Sequence, residues 1–589
     1  MSAPDQKSKP SSLWIRFFPF LLWLKGYGPS EFRSDGLAGL TVAVVLIPQA
    51  MAYAMLAGLP PVYGLYAATI TPVIGALWGS LRQLATGPIA IMSLLVLTTL
   101  SPLAEPGSGE YVSLAFVLSF MVGGLYFLLG VLRMGLIMSF ISHSSVKGFT
   151  AAAAIIIIST QLPHFLGITV EKHEYTLPML INIVRELRHL NPYTCALGIV
   201  SFSIIYIIKR LSKTIPASLI ALATATAALM VFGLEQQGVA VIGEIPIGLP
   251  SFTLPQLTFP MLSNLAGPTV VIALVSFAET YSVGKAISTQ SKQKVDVDQE
   301  FIGQGLANLI GSFFHCYPVS GSFSRSAINF AAGAKTGVSS IISSLFVILS
   351  LLFLTPLFTN IPKAALAALV INAVLLLFNP KEVFALLKKN RHDGVVAVTV
   401  FSMGLVIKPD YALLLGVMMS LIFFLWKTMH PSIVRITRDP ELNMFVDGDL
   451  SNKPDCPQIL QLRIDSEIYF GNAQFLAEHI LERVKESPSS VKFLLLDFQA
   501  VSFIDITGID ELRILMDDMK SRGIRPAFIN ITPPVKNVFI SSGLLDDIDP
   551  ALIFDGKGTA TNSLFMRIDQ DYCKNTCPNS LFLECTSLK

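Results

Sequence analysis

Between about Gly36 and Trp426 one apolar run follows another, separated by short polar interruptions. Backbone in hydrocarbon finds no water to bond, which confines such a stretch to helices or closed barrels. These runs are long and lack strict alternation, so they read as helices. They begin near Leu37, Val62, Val112, Phe149, Ala196, Ala217, Val270, Ile341, Leu366, Gly394 and Leu413. Three further segments are shorter or interrupted: Pro88 to Thr99, Phe301 to Phe314 and Phe323 to Ala332. Together they make about fourteen elements. Only 14% of the 589 residues are charged, against about a quarter in soluble domains. The expected plan is an N-terminal segment over 1–35, a membrane domain over 36–430, a soluble domain over 436–570 and a tail over 571–589.

Basic residues gather before the first run (Lys7, Lys9, Arg16, Lys25, Arg33) and again at Lys209–Lys213, Lys285–Lys294 and Lys381–Arg391. Ser101 to Tyr111 and Gly233 to Pro260 contain neither Lys nor Arg. An even number of spans puts every basic cluster and both termini on one side, the cytoplasm by the positive-inside rule. The expected location is a cell inner (cytoplasmic) membrane. The mixed-charge stretch Glu171 to His189 reads as an external surface helix, and Leu13 to Leu24, with Trp14, Phe17, Phe18 and Trp23, as an interfacial one.

The membrane region divides near Pro250 to Pro260 into halves of seven elements. Odd-numbered repeats in one chain insert with opposite orientation, and such repeats meet at mid-membrane where broken helices aim their ends at a substrate. Two related phrases sit in the broken segments, Thr86-Gly87-Pro88-Ile89-Ala90 and Ser320-Gly321-Ser322-Phe323-Ser324-Arg325. Each closely follows a Gly-Ser pair, Gly79-Ser80 or Gly311-Ser312. Gly87-Pro88 and Gly321-Ser322 read as helix starts, whose free N–H groups and positive dipole ends would cradle an anion. They also read as plain turns between helices.

Arg325 supplies a permanent charge and a planar donor array suited to an oxyanion. Its alternative roles are snorkelling to the surface or pairing with a carboxylate. Ser322 and Ser324 can donate hydroxyl hydrogens or bond back to their own helix. Glu279 is the sole carboxylate of its apolar span, where burial disfavours its charge and Arg325 favours it. Two helix ends of about half a charge each plus Arg325 sum to roughly +2. An ionised Glu279 lowers this to about +1, so proton uptake and dianion binding would favour one another. In the corresponding first-half span, Gln49 and Tyr53 lie four residues apart and share a helix face. A bound oxyanion or neighbouring helices would satisfy them.

No basic cluster supports nucleic-acid binding, and no catalytic triad or Lys-bearing nucleotide loop marks an enzyme. The six cysteines form neither a disulfide framework nor a close-paired metal site; Cys573-x-x-x-Cys577 falls in what reads as a loose tail.

Gln49-Ala50-Met51-Ala52-Tyr53, Pro60-Pro61-Val62-Tyr63-Gly64-Leu65-Tyr66-Ala67-Ala68 and Ser322-Phe323-Ser324-Arg325 with Asn329 resemble the SulP sulfate-permease family. The resemblance covers nearly the whole chain. It implies a polytopic α-helical membrane protein, a seven-plus-seven inverted repeat with core and gate domains, and elevator-like alternating access. The implied anion site lies between the third and tenth segments, lined by Gln49, Tyr53, Gly87, Ile89, Ala90, Ser322, Phe323, Ser324 and Arg325, with Glu279 as the coupling residue. A homodimer is also implied, as is coupling to protons, or alternatively to sodium, with no cofactor or metal.

After Trp426 the pattern becomes that of a soluble α/β domain. Strands are expected over Gln458 to Ile464, Val491 to Phe498 and Pro526 to Ile531, with helices over Ala473 to Val484 and Ile509 to Met519. Asp497 to Gly508 resembles the STAS domain, implying a cytoplasmic regulatory or dimer-supporting module. Ile506 stands where related antagonists carry a phosphorylated serine. Asp505 and Thr507 are therefore candidates for a helix cap or, for Thr507, a phosphate acceptor. The expectation for the whole chain is sulfate–proton symport. The alternatives are bicarbonate or dicarboxylate symport, uncoupled anion exchange, and a non-transporting membrane sensor.

Overall fold

The computed structural model describes residues 18–24, 26–135, 142–170, 175–211, 215–375, 378–407, 409–442, 444–579 and 581–588. Of the expected interfacial helix, Trp14 and Phe17 lie outside these. Leu21–Leu24 is helical, but Trp23 is buried against Phe20 and Gly337. The chain forms two compact units, 1–420 and 421–589.

In the first unit, helices α1 (Pro29–Leu56) and α2 (Pro61–Trp78) precede strand β1 (Ala85–Gly87) and the short helix α3 (Ala90–Leu100). Then come α4 (Gly109–Val131), α5 (His143–Leu166), α6 (Thr176–Glu186), α7 (Pro192–Leu211) and α8 (Ala217–Phe232). After an extended stretch the order repeats: α9 (Phe259–Ser291), α10 (Val297–Ser312), β2 (Ser320–Ser322) and α11 (Phe323–Ala331). It finishes with α12 (Val338–Phe353), α13 (Lys363–Leu375), α14 (Pro380–Lys389), α15 (Arg391–Val406) and α16 (Pro409–Met429). Each half thus has two helices, a strand with a half-length helix, two helices, an amphipathic surface helix and two more helices. Seven helical stretches among the described residues are long and apolar enough to cross a bilayer, and α3, α8 and α12 are shorter apolar helices. The halves interleave. α1, α2 and α4 pack with α9, α10 and α12, whereas α5, α7 and α8 pack with α13, and α5 also with α15. These are the expected core and gate groups.

Close backbone approach holds the core group together. A Cβ on Gly123 of α4 would come within 2.3 Å of the Leu309 nitrogen of α10. Small residues allow such contacts where lipid offers no hydrophobic drive between helices.

The second unit carries a six-stranded sheet, β3 (Ile433–Asp439), β4 (Met444–Asp447), β5 (Ile459–Ile464), β6 (Phe493–Asp497), β7 (Arg525–Ile529) and β8 (Ile553–Phe554), in the order β4-β3-β5-β6-β7-β8. Strands β5 to β8 are parallel. Their alternate residues face opposite ways. Leu494 and Leu496 join the core with α17 (Ala473–Glu486), α18 (Ile506–Ser521) and α19 (Pro533–Ser541). Phe493 and Leu495 pack against α20 (Lys557–Phe565), α21 (Gln570–Asn575) and α22 (Leu583–Leu588). The tail over 571–589 is therefore not loose where it is described. Cys573, Phe582 and Cys585 are buried in that second layer, and burial pushes the adjoining Cys456 thiol up to about 12. The β3–β4 hairpin and β8 were not expected from sequence.

Candidate functional site

The two interrupted segments meet. β1 and β2 pair antiparallel, with Ala85 opposite Ser322, Thr86 opposite Gly321 and Gly87 opposite Ser320. Paired strands lie about 4.8 Å apart, so the starts of α3 and α11 are neighbours. Gly87 and Gly321 belong to these strands and are not themselves helix starts. Helix α3 begins at Ala90 after Ile89, a buried N-cap whose side chain caps nothing. At α11 the cap is Ser322, whose Oγ accepts from the Arg325 N–H at 3.4 Å. Phe323 is 56% exposed and lines a cavity, and Ser324 is exposed beside it.

Arg325 is 0% exposed, which excludes snorkelling. Its Nη1 donates to the Pro88 carbonyl at 2.7 Å, linking one half-helix entry to the other. Its Nε and Nη2 are buried with no hydrogen-bond partner. Glu279 Oε2 and Gln49 Oε1 are likewise buried and unpartnered. Glu279 and Arg325 are thus not locked together through these atoms, but they lie within electrostatic reach of each other and of buried Tyr53. Unsatisfied buried polar groups are costly. Here the Arg325 donor pair and the Glu279 carboxylate lie within electrostatic reach of each other beside the paired helix starts, and a small hydrogen-bonding anion or a proton would relieve them.

The surrounding residues fix this geometry, and among them Thr280, Gln304, Asn308 and Glu300 were not singled out from sequence. Thr280, adjacent to Glu279, bonds Ser320 Oγ at 2.8 Å and accepts from the Gly321 N–H at 3.1 Å. Ser320 Oγ donates to the Ser276 carbonyl at 2.9 Å, tying α9 to β2. On the other side, Gln304 donates to Thr86 Oγ1 at 2.9 Å, and Asn308 exchanges two hydrogen bonds with the Val319 backbone. Gln304 and Asn308 share one face of α10, four residues apart, and that spacing was the available signal. Buried Glu300 accepts from Ser80 N and Oγ, both at 2.9 Å, and gives the early Gly79-Ser80 pair a partner.

A cavity of about 410 Å³ leads away from the site. Ile91, Glu279 and Phe323 line it together with His143, Lys147 and Glu382 of the other helix group. Lys147 and Glu382 form an ion pair. In the second unit, Asp505 caps α18, with Oδ1 accepting from Gly508 N and Oδ2 from Phe470 N, each at 2.8 Å. Both oxygens are engaged in holding the loop, as the cap reading expects. Thr507 is exposed and takes no part in the cap.

Known proteins share this architecture. Residues 32–400 match the model of the Sulfate permease family, and 452–560 that of the STAS domain. The chain is 33% identical over 563 residues to an Arabidopsis thaliana protein described as probable sulfate transporter 4.2, covering 92% of this chain and 82% of the relative. High affinity sulfate transporter 2 of Stylosanthes hamata is 32% identical, covering 91% and 84%. The structure of the murine Slc26a9 anion transporter in the inward-facing state superposes with a TM-score of 0.87 over 96% of both chains at 24% identity. The transmembrane domain of the cyanobacterial bicarbonate transporter BicA gives 0.58, covering 67% of this chain and 98% of that one at 21% identity.

Proposed function

This chain belongs to the sulfate permease family, a transporter family, and from that premise we propose that it carries sulfate with protons across its membrane. The observation that supports this reading is the convergence of Arg325 Nε and Nη2 with Glu279 Oε2, all buried and unpartnered, at two adjoining helix starts. Sulfate would take the guanidinium hydrogens and the free first-turn N–H groups of α3. A proton on Glu279 removes a negative charge from the neighbourhood of the dianion. At a separation of about 4 Å and an effective dielectric of 20, each unit charge counts for about 4 kcal/mol, enough to couple the two ligands. The core group, with β1 and β2 stitched into it, would move as one body against the gate group. Both termini would face the cytoplasm, the working form would be a dimer, and the STAS domain would receive a cytoplasmic regulator.

The test is uptake of labelled sulfate, bicarbonate and fumarate into proteoliposomes under separately imposed proton and sodium gradients. Sulfate should accumulate with the proton gradient alone. Glu279→Gln should abolish accumulation while sulfate–sulfate exchange persists. Accumulation surviving in that variant, or following sodium, would refute proton coupling.

A further inference from the structure

A second and larger cavity, about 720 Å³, opens at the other end of α3 from Arg325. Along α3 its lining runs from Leu94, about 6 Å beyond the helix start at Ala90, to Ser101, about 16 Å beyond it. It lies between the two helix groups: α1 and α3 contribute Met55, Leu94 and Thr98, while α5 contributes Thr160 and Gln161 and α13 contributes Lys363. Its volume falls within the roughly 300–1,000 Å³ of small-molecule sites, and its lining has their character, apolar with a few polar groups. Two features specify what would fit. Lys363 brings an ammonium that pairs with no carboxylate among the described residues. No Asp or Glu is among the described lining residues.

We propose that this cavity binds an amphipathic organic anion, a carboxylate or sulfonate on an aromatic or branched apolar body, with Lys363 taking the charge. A bare inorganic anion would leave most of the apolar wall unfilled, and a neutral lipid tail would leave the ammonium unmatched. Because the walls come from both helix groups, an occupant holds them in one relative position. It therefore inhibits turnover without competing for the Arg325 site. The site is defined whether or not sulfate is the cargo, since binding can be read without transport.

The experiment is titration calorimetry of the full-length detergent-solubilised protein with naphthalenesulfonate, alongside its effect on sulfate uptake. Saturable binding is expected, with inhibition that excess sulfate does not relieve. Lys363→Gln should weaken binding about tenfold or more, as loss of one charge-assisted contact does, and Lys363→Arg should restore it. Thr160→Phe, which fills the space, should remove naphthalenesulfonate binding in a protein that keeps its thermal midpoint. Unchanged affinity in both Lys363→Gln and Thr160→Phe would overturn the proposal. So would equal binding of uncharged naphthalenemethanol, or full relief of inhibition by sulfate, which would place the ligand at Arg325.

Discussion

Gly87 is constrained twice. Its φ of +151° is open to glycine and strained for other residues, and a Cβ there would stand 3.2 Å from Arg325 Nη2. Gly87→Ala should therefore displace a guanidinium nitrogen that has no other partner. We expect sulfate affinity to fall about tenfold in a protein that remains folded, checked by calorimetry beside a thermal melt. The polar residues of the site were legible because each is an expensive exception in an apolar context: Arg325 among serines, Glu279 alone in its span, Gln49 and Tyr53 one turn apart. Which atoms were left over was not legible. That Arg325 spends Nη1 on the Pro88 carbonyl and keeps Nε and Nη2 free depends on a partner 237 positions away in the chain.

Elements show the same division. Long apolar runs declare themselves by composition, and α6 by its mixture of apolar and charged residues, whereas α14 shows only as a basic cluster. β1 and β2 do not declare themselves, because three residues are too few for a period of two to register. The sequence reading accordingly placed Gly87 and Gly321 at helix starts. The clamps between elements were equally hidden. Asp35, in the first turns of α1, accepts from Lys335 N at 2.7 Å and from Thr336 N and Oγ1 at 3.1 and 2.6 Å. It lies next to the start of an apolar run and was counted with the N-terminal segment, although it is fully buried. Asp35→Ala leaves two backbone donors and a hydroxyl without their acceptor. Hydrogen bonds to charged groups are worth about 1.5–3 kcal/mol each. A loss of about 3 kcal/mol is expected, seen as a lower thermal midpoint in detergent with the end of α11 loosened in hydrogen exchange.

At the scale of the whole molecule, the two halves of the membrane unit repeat one order of elements, and counting apolar runs recovered that repeat. The soluble unit was read correctly in its middle strands and helices but not at its edges. β8 has only two residues, and the helices after it carry no continuous apolar stripe. Those helices nonetheless close the sheet's second face. Ending the chain after Asp569 would remove Cys573, Phe582 and Cys585 from that layer. At about 1.5–3 kcal/mol for a large buried side chain such as Phe582, with smaller contributions from the two cysteines, the loss is a sizeable share of the roughly 5–15 kcal/mol that holds a typical domain. The truncated chain should aggregate or be cleaved within 433–569 by limited proteolysis, while the full chain resists.

The short antiparallel pairing of β1 with β2 has a wider consequence. It makes the lining contributed by each half a single fixture, so under the proposed transport cycle a passenger keeps the same immediate company from departure to arrival. Discrimination among passengers would then be identical at both faces of the bilayer, and the direction of travel would be left to gradients alone.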